Sequence, residues 1–183
     1  MRKKILMTSG AVVVVVALGA FLLVGGNDKE TPTASDTSNV KQLVQEYSSS
    51  GMKDLSAFIT SEQLIVTDSS NKSTTYDLPK DEFFVSIAPY VKNTHPCATH
   101  SLTGCQGELT EQEFKVYIKD TEGTVIVDET MKSQSNGFID LWLPRDKEYS
   151  VTIEQDGIKA KAELSTFKTD NTCVTTMQLV ESI

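Results

Sequence analysis

From residue 113 to residue 180 the chain is a succession of short strand-like runs, the first with a strict period of two that leaves little choice of structure. Phe114, Val116 and Ile118 alternate with Lys115, Tyr117 and Lys119, as a strand with one dry and one wet face requires. Similar runs cover 124–131, 137–143, 149–155, 158–164 and 173–180. The segments between them include Asn136-Gly137, Pro144-Arg145-Asp146 and Asp156-Gly157, and Glu122-Gly123 precedes 124–131. Asp156-Gly157 is the strongest hairpin signal, because a two-residue type I′ turn needs positive φ at both central residues. About six strands at this spacing predict an antiparallel β-sandwich or a partly open barrel. On one of them Asp140 shares a face with Phe138 and Trp142, opposite the aliphatic Ile139, Leu141 and Leu143, and is expected to be solvated.

The preceding stretch has a different texture. Val40, Leu43, Val44 and Tyr47 recur at helical spacing, Ser48-Ser49-Ser50-Gly51 interrupts them, and Met52, Leu55, Phe58 and Ile59 resume the pattern, so a pair of short helices is expected. Extended runs at 63–68, 74–78 and 83–88 follow, the second ended by Pro79 and the third by Pro89. The class is therefore α+β. A small unit of a helix pair and strands spans 40–91, and a sandwich domain spans 92–183.

Arg2, Lys3 and Lys4 precede the apolar run 11–24, the layout of an export signal, and Val24-Gly25-Gly26 offers a cut before Asn27. Counted from residue 5, the run is also long enough, at about 1.5 Å per residue, to cross roughly 30 Å of hydrocarbon. Residues 1–26 are thus a signal peptide or a membrane anchor, and the polar stretch 27–39 is a flexible tether. The folded part is expected outside the cytosol, in a periplasm or at the cell surface. Lys and Arg number 17 against 25 Asp and Glu, a net charge of −8, which becomes −11 without the three basic residues of the leader. So acidic a chain repels phosphate backbones, which excludes nucleic acid as a partner.

The least ordinary segment lies between the two halves. Both histidines and two of the three cysteines fall within residues 95–105: His95, Cys97, His100 and Cys105. Pro96 keeps His95 extended, and Gly104 and Gly107 permit tight turns around Cys105, so 94–108 reads as a shaped loop that presents groups. Cys173 lies 68 residues beyond Cys105. Three cysteines in an exported chain leave one over when two pair. One reading is a disulfide between Cys97 and Cys105, with Cys173 a small buried hydrophobe. The other gathers Cys97, Cys105 and Cys173 as thiolates around a soft metal, Cu(I) ahead of zinc, with His95 and His100 as auxiliary ligands or outer hydrogen-bond partners. No Gly-x-Ser-x-Gly elbow, Rossmann fingerprint or P-loop is present. Met177 lies about 13 Å along its strand from Cys173, too far to share an ion, and is expected in the core.

Several of these stretches together resemble the CueP family of exported copper-binding proteins. They are Phe84-Val85-Ser86-Ile87-Ala88-Pro89-Tyr90, Thr94-His95-Pro96-Cys97, His100-Ser101-Leu102, Cys105-Gln106-Gly107-Glu108-Leu109 and Thr172-Cys173-Val174-Thr175-Thr176. The resemblance spans most of 40–183. It implies a periplasmic or extracellular copper-binding protein of copper resistance whose three copper-binding cysteines are Cys97, Cys105 and Cys173. It further implies a dimerising N-terminal part, a copper-accepting secreted enzyme (a copper/zinc superoxide dismutase) and a thiol-disulfide oxidoreductase that keeps the thiols reduced.

The resulting expectation is a protein that sequesters or delivers Cu(I), without catalytic turnover, and that can reduce Cu(II) stoichiometrically with its thiols. Two alternatives remain on the residues alone: an extracellular sandwich module stapled by a disulfide, and a thiol-dependent enzyme.

Overall fold

The computed structural model describes residues 34–50 and 54–181. The expected signal or anchor at 1–26 lies outside the described residues, as do residues 27–33 of the tether. Among the described residues no helix is long and apolar enough to cross a membrane.

Helix α1 (Ala34–Ser50) begins inside the stretch expected as tether. Val40 and Val44, one turn apart, are its buried stripe, with Leu43 and Tyr47 on the flank. The expected second helix is a strand instead, β1 (Leu55–Ile59). Leu55, Phe58 and Ile59 fit a helical stripe, but five residue pairs with β2 (Gln63–Asp68) impose the period of two, burying Ala57 and Ile59 and turning Phe58 outward. A short apolar run suits both periods, and the neighbouring strand decides between them.

β3 (Ser73–Asp77), β2, β1 and β5 (His100–Ser101) form one sheet in that order. A second, five-stranded sheet runs β12 (Val180–Glu181), β10 (Ile158–Ser165), β9 (Glu148–Gln155), β6 (Glu113–Asp120), β7 (Val125–Lys132). The third places β4 (Glu82–Ile87) between β8 (Ile139–Pro144) and β11 (Cys173–Val174). Among the described residues the expected antiparallel arrangement is broken by the parallel pair of β11 with β4 and by an isolated parallel bridge between Tyr90 and Gln178. The run expected as one strand over 173–180 is divided, its start in the three-stranded sheet and its end in the five-stranded one. Between them Met177 and Leu179 enter the core, as expected for Met177.

Alternation decides the layers. Phe83, Val85 and Ile87 of β4 and Ile139, Leu141 and Leu143 of β8 meet Phe114, Val116, Ile118, Tyr149, Val151 and Ile153 of the five-stranded sheet in one core, so these two sheets form a sandwich. The opposite face of β4 and β8 is also covered. Phe84 and Trp142 pack with α1 and the first sheet, and Lys41 of α1 lies 5.1 Å over the Trp142 ring while pairing with Glu82. None of the sheets closes into a barrel among the described residues.

That second covering layer corrects the expectation for Asp140. Its face does carry Phe138 and Trp142, but α1 lies over it. Ser48 of α1 donates to Asp140 Oδ2 at 2.6 Å, Gln134 Nε2 donates to the same oxygen at 2.8 Å, and Ser86 Oγ donates to Oδ1. Burial pushes the carboxyl pKa up, and the three donors oppose that shift.

The hairpin at Asp156-Gly157 has φ of 50° and 84°, as its sequence requires, and joins Gln155 to Ile158. Gly137 is more constrained. Its φ is 80°, and a Cβ there would stand 2.8 Å from the backbone carbonyl atoms of Gly107, whereas a Cβ on Gly157 would meet nothing within 4 Å. Gly157→Ala should therefore cost only the left-handed backbone term, about 1–2 kcal/mol. Gly137→Ala should cost clearly more in urea unfolding, since Gly107 must also move. Equal costs would show that the contact of the two glycines carries no weight.

Candidate metal centre

The loop that carries Cys97, His100 and Cys105 is closed at its base by one carboxylate. Glu108 Oε2 accepts the N–H groups of Val91 (2.7 Å) and Lys92 (2.9 Å), and Oε1 accepts from Asn93 Nδ2 at 3.3 Å. These donors, the Lys92 amide foremost, hold the Glu108 carboxyl below its usual pKa. Inside the loop, the Ser101 carbonyl accepts the amides of Gly104 (3.3 Å) and Cys105 (3.0 Å), a turn that folds Cys105 back over β5. The amide of Gly107 donates to Asn136 at 2.7 Å and fixes the far side.

Cys173 arrives from the other end of the chain on β11. Ser86 N–H donates to the Thr172 carbonyl at 2.8 Å and Ala88 N–H to that of Val174 at 2.9 Å, so β11 lies along β4 with Cys173 opposite Ser86. Cys173 N–H then donates to Ala98 at 3.1 Å, which ties it to the loop. The buried Thr172 hydroxyl completes the join by donating to the Ile59 carbonyl at 2.6 Å and accepting the His100 amide at 3.0 Å. Thr172 and Glu108 stand in stretches that carry the family resemblance, but the sequence assigns neither a role of its own. Their signal there is adjacency to Cys173 and to the Cys105-Gln106-Gly107 turn.

One ligand atom from each of Cys97, His100, Cys105 and Cys173 lies within 4.8 Å of the others. Cys97 and Cys173 are joined by a disulfide, with 5.6 Å between their Cα atoms. The reading with a disulfide pairs Cys97 with Cys105, whereas here the bond joins Cys97 to Cys173, which β4 and the Ala98 carbonyl hold against Cys97, a placement that sequence spacing does not encode. Cys105 keeps a free thiol, its Sγ 3.5 Å from that of Cys97. Cys173 is 3% exposed and packs with Ala88 and Phe138, while Cys97 and Cys105 are half-buried at the rim.

The two histidines differ. His95 is half-buried, its ring 6.4 Å from that of Phe138, and it is not a member of the 4.8 Å group. His100 is fully buried, its ring 4.5 Å from Phe138 and 6.3 Å from Phe84, and neither ring nitrogen has a hydrogen-bond partner. Burial, and next the charge of His95, lower its pKa to about 4. The imidazole is thus neutral near pH 7, with a lone pair beside three sulfurs. A buried nitrogen pair without partners is costly unless something at the site uses it.

The same shift makes stability depend on pH. With a folded pKa near 4 and an unfolded value of 6.5, the unfolded chain takes up the proton first on acidification. The His100 contribution is fully present above pH 6.5, declines as the pH falls, and is lost once it passes about 4, a change on the order of 3 kcal/mol. Urea unfolding of His100→Gln between pH 7 and 4 should show a flatter pH dependence than the parent chain; parallel curves would refute the assignment.

The family described as "Periplasmic copper-binding protein CueP" matches residues 39–178, which include all three cysteines and both histidines. A solved structure described as "Crystal Structure of S.CueP" is similar with a TM-score of 0.73 at 38% identity, covering 77% of this chain and 89% of that one. No curated protein matches. With its cysteine and histidine cluster and a match over most of its length, this chain belongs to the CueP family of periplasmic copper-binding proteins.

Proposed function

We propose that the reduced chain holds one Cu(I) through Cys97, Cys105 and Cys173, with His100 as the neutral nitrogen donor at the buried end, and that it sequesters or delivers copper rather than turning over a substrate. The observation that carries this reading is His100. A disulfide staple would account for Cys97 and Cys173, but it leaves Cys105 and both buried ring nitrogens unexplained. Three thiolates and a neutral imidazole are a soft donor set, which favours Cu(I). Around a monovalent ion they carry a net charge of −2, and the half-buried positions of Cys97 and Cys105 leave part of it in contact with water.

Copper binding in this form requires the disulfide to open. The reverse step is equally simple: oxidation of the Cys97 and Cys173 thiols forms their S–S bond, releases two protons and passes two electrons to two Cu(II) ions, giving two Cu(I). A supply of reductant is therefore part of the function, which agrees with the reducing partner that the family resemblance implies. In a cell with an outer membrane this takes place in the periplasm, and otherwise on the cell surface. A copper-accepting secreted enzyme and a homodimer remain the expected partners.

Titrating the fully reduced protein with Cu(I) against a chromophoric chelator should give one tightly held ion per chain, and the oxidised protein should lose that affinity. His100→Ala should weaken it by at least roughly 10-fold, since losing even an outer partner of a ligand costs about 10–100-fold, and Cys105→Ser by more. Equal binding by oxidised and reduced protein would overturn the thiolate site. Added Cu(II) should consume two thiols per two Cu(I) formed; unchanged thiols would exclude the reduction.

A further inference from the structure

The disulfide and the free thiol share one site but not one exposure. Cys173 is buried among Ala88, Phe138 and the loop, whereas Cys97 and Cys105 sit at the rim. A reductant from solution has no open approach to Cys173 Sγ. Cys105 Sγ, by contrast, already stands 3.5 Å from Cys97 Sγ, within the separation at which bound groups are poised to react. The turn closed on the Ser101 carbonyl holds it there.

We infer that Cys105 is the nucleophile of an intramolecular thiol-disulfide exchange that carries the bond from the buried pair Cys97 and Cys173 to the rim pair Cys97 and Cys105. The Cys105 thiol gives up its proton, and the thiolate attacks Cys97 Sγ. The Cys97–Cys173 bond breaks, its electron pair stays on Cys173 Sγ, and that sulfur takes up a proton. No oxidant or reductant is consumed. In the exchanged form a dithiol reductant meets both bonded sulfurs at the rim, a route beside its direct attack on Cys97 Sγ of the buried pair, in which Cys173 is the leaving sulfur. The use of this relay, opening three sulfurs to a soft ion, rests on the function proposed above. The exchange itself is measured without metal, so either can fail alone.

The test uses the full chain in its one-disulfide form with chelator present, held at pH 8, quenched in acid and mapped as peptic peptides by mass. Peptides linking Cys97 to Cys105 should appear beside those linking Cys97 to Cys173, in a ratio independent of protein concentration, and slow alkylation should mark Cys173 as well as Cys105. Finding the Cys97–Cys173 link alone, with label confined to Cys105, would overturn the relay. Loss of the disulfide to dithiothreitol should be slower in Cys105→Ser and Cys105→Ala than in the parent chain, where the relay adds to direct attack on Cys97. Matching rates in all three, with unfolding curves showing that the variants are folded, would also overturn it.

Discussion

The site depends on a parallel ladder only two residues long. Ser86 and Ala88 of β4 donate to the carbonyls of Thr172 and Val174, and this pairing sets Cys173 opposite Ser86. Because side chains alternate along a strand, a slip of one residue would turn Cys173 toward the sandwich core and send Val174 to the cysteine loop. β4 can impose this register because both of its faces are committed. Phe83, Val85 and Ile87 lie in the core between the sheets, and Phe84 packs under α1. Hydrophobic burial thus fixes the strand, the strand fixes the ladder, and the ladder fixes a sulfur.

The loop is held to the same frame from three sides. Glu108 closes its base, Gly107 and Gly137 let two backbones touch, and Thr172 ties the His100 amide to β1. These ties reach the backbone around the cluster and leave the His100 nitrogens free. The result is graded polarity, with a dry end at Cys173 and His100 and a wet end at Cys97 and Cys105. On the function proposed above, the dry end would favour a soft cation and the wet end would serve redox exchange with solvent.

Most strands were legible because alternation and turn chemistry agreed, as at Glu113–Asp120 and at Asp156-Gly157. Sequence and structure differ where a short run satisfies two periods or where a second layer alters what a face meets. Leu55–Ile59 fits a helix by spacing but pairs with β2 as a strand, and Asp140 has the pattern of a solvated position but lies under α1. Among the candidate ligands, the sequence marked five residues without ranking the histidines. Burial and position separate His100, packed between Phe84 and Phe138 with a ring nitrogen among the sulfurs, from the half-buried His95 outside that group.

The amino-acid sequence determined the donor types, the shaped loop that carries most of them and the strands that make the scaffold, because these follow from local composition and periodicity. Which sulfurs meet was decided by tertiary structure alone. Cys97 and Cys173 are 76 residues apart, and what joins them is the register of a sheet whose strands come from distant parts of the chain, a long-range outcome that spacing along the backbone does not contain.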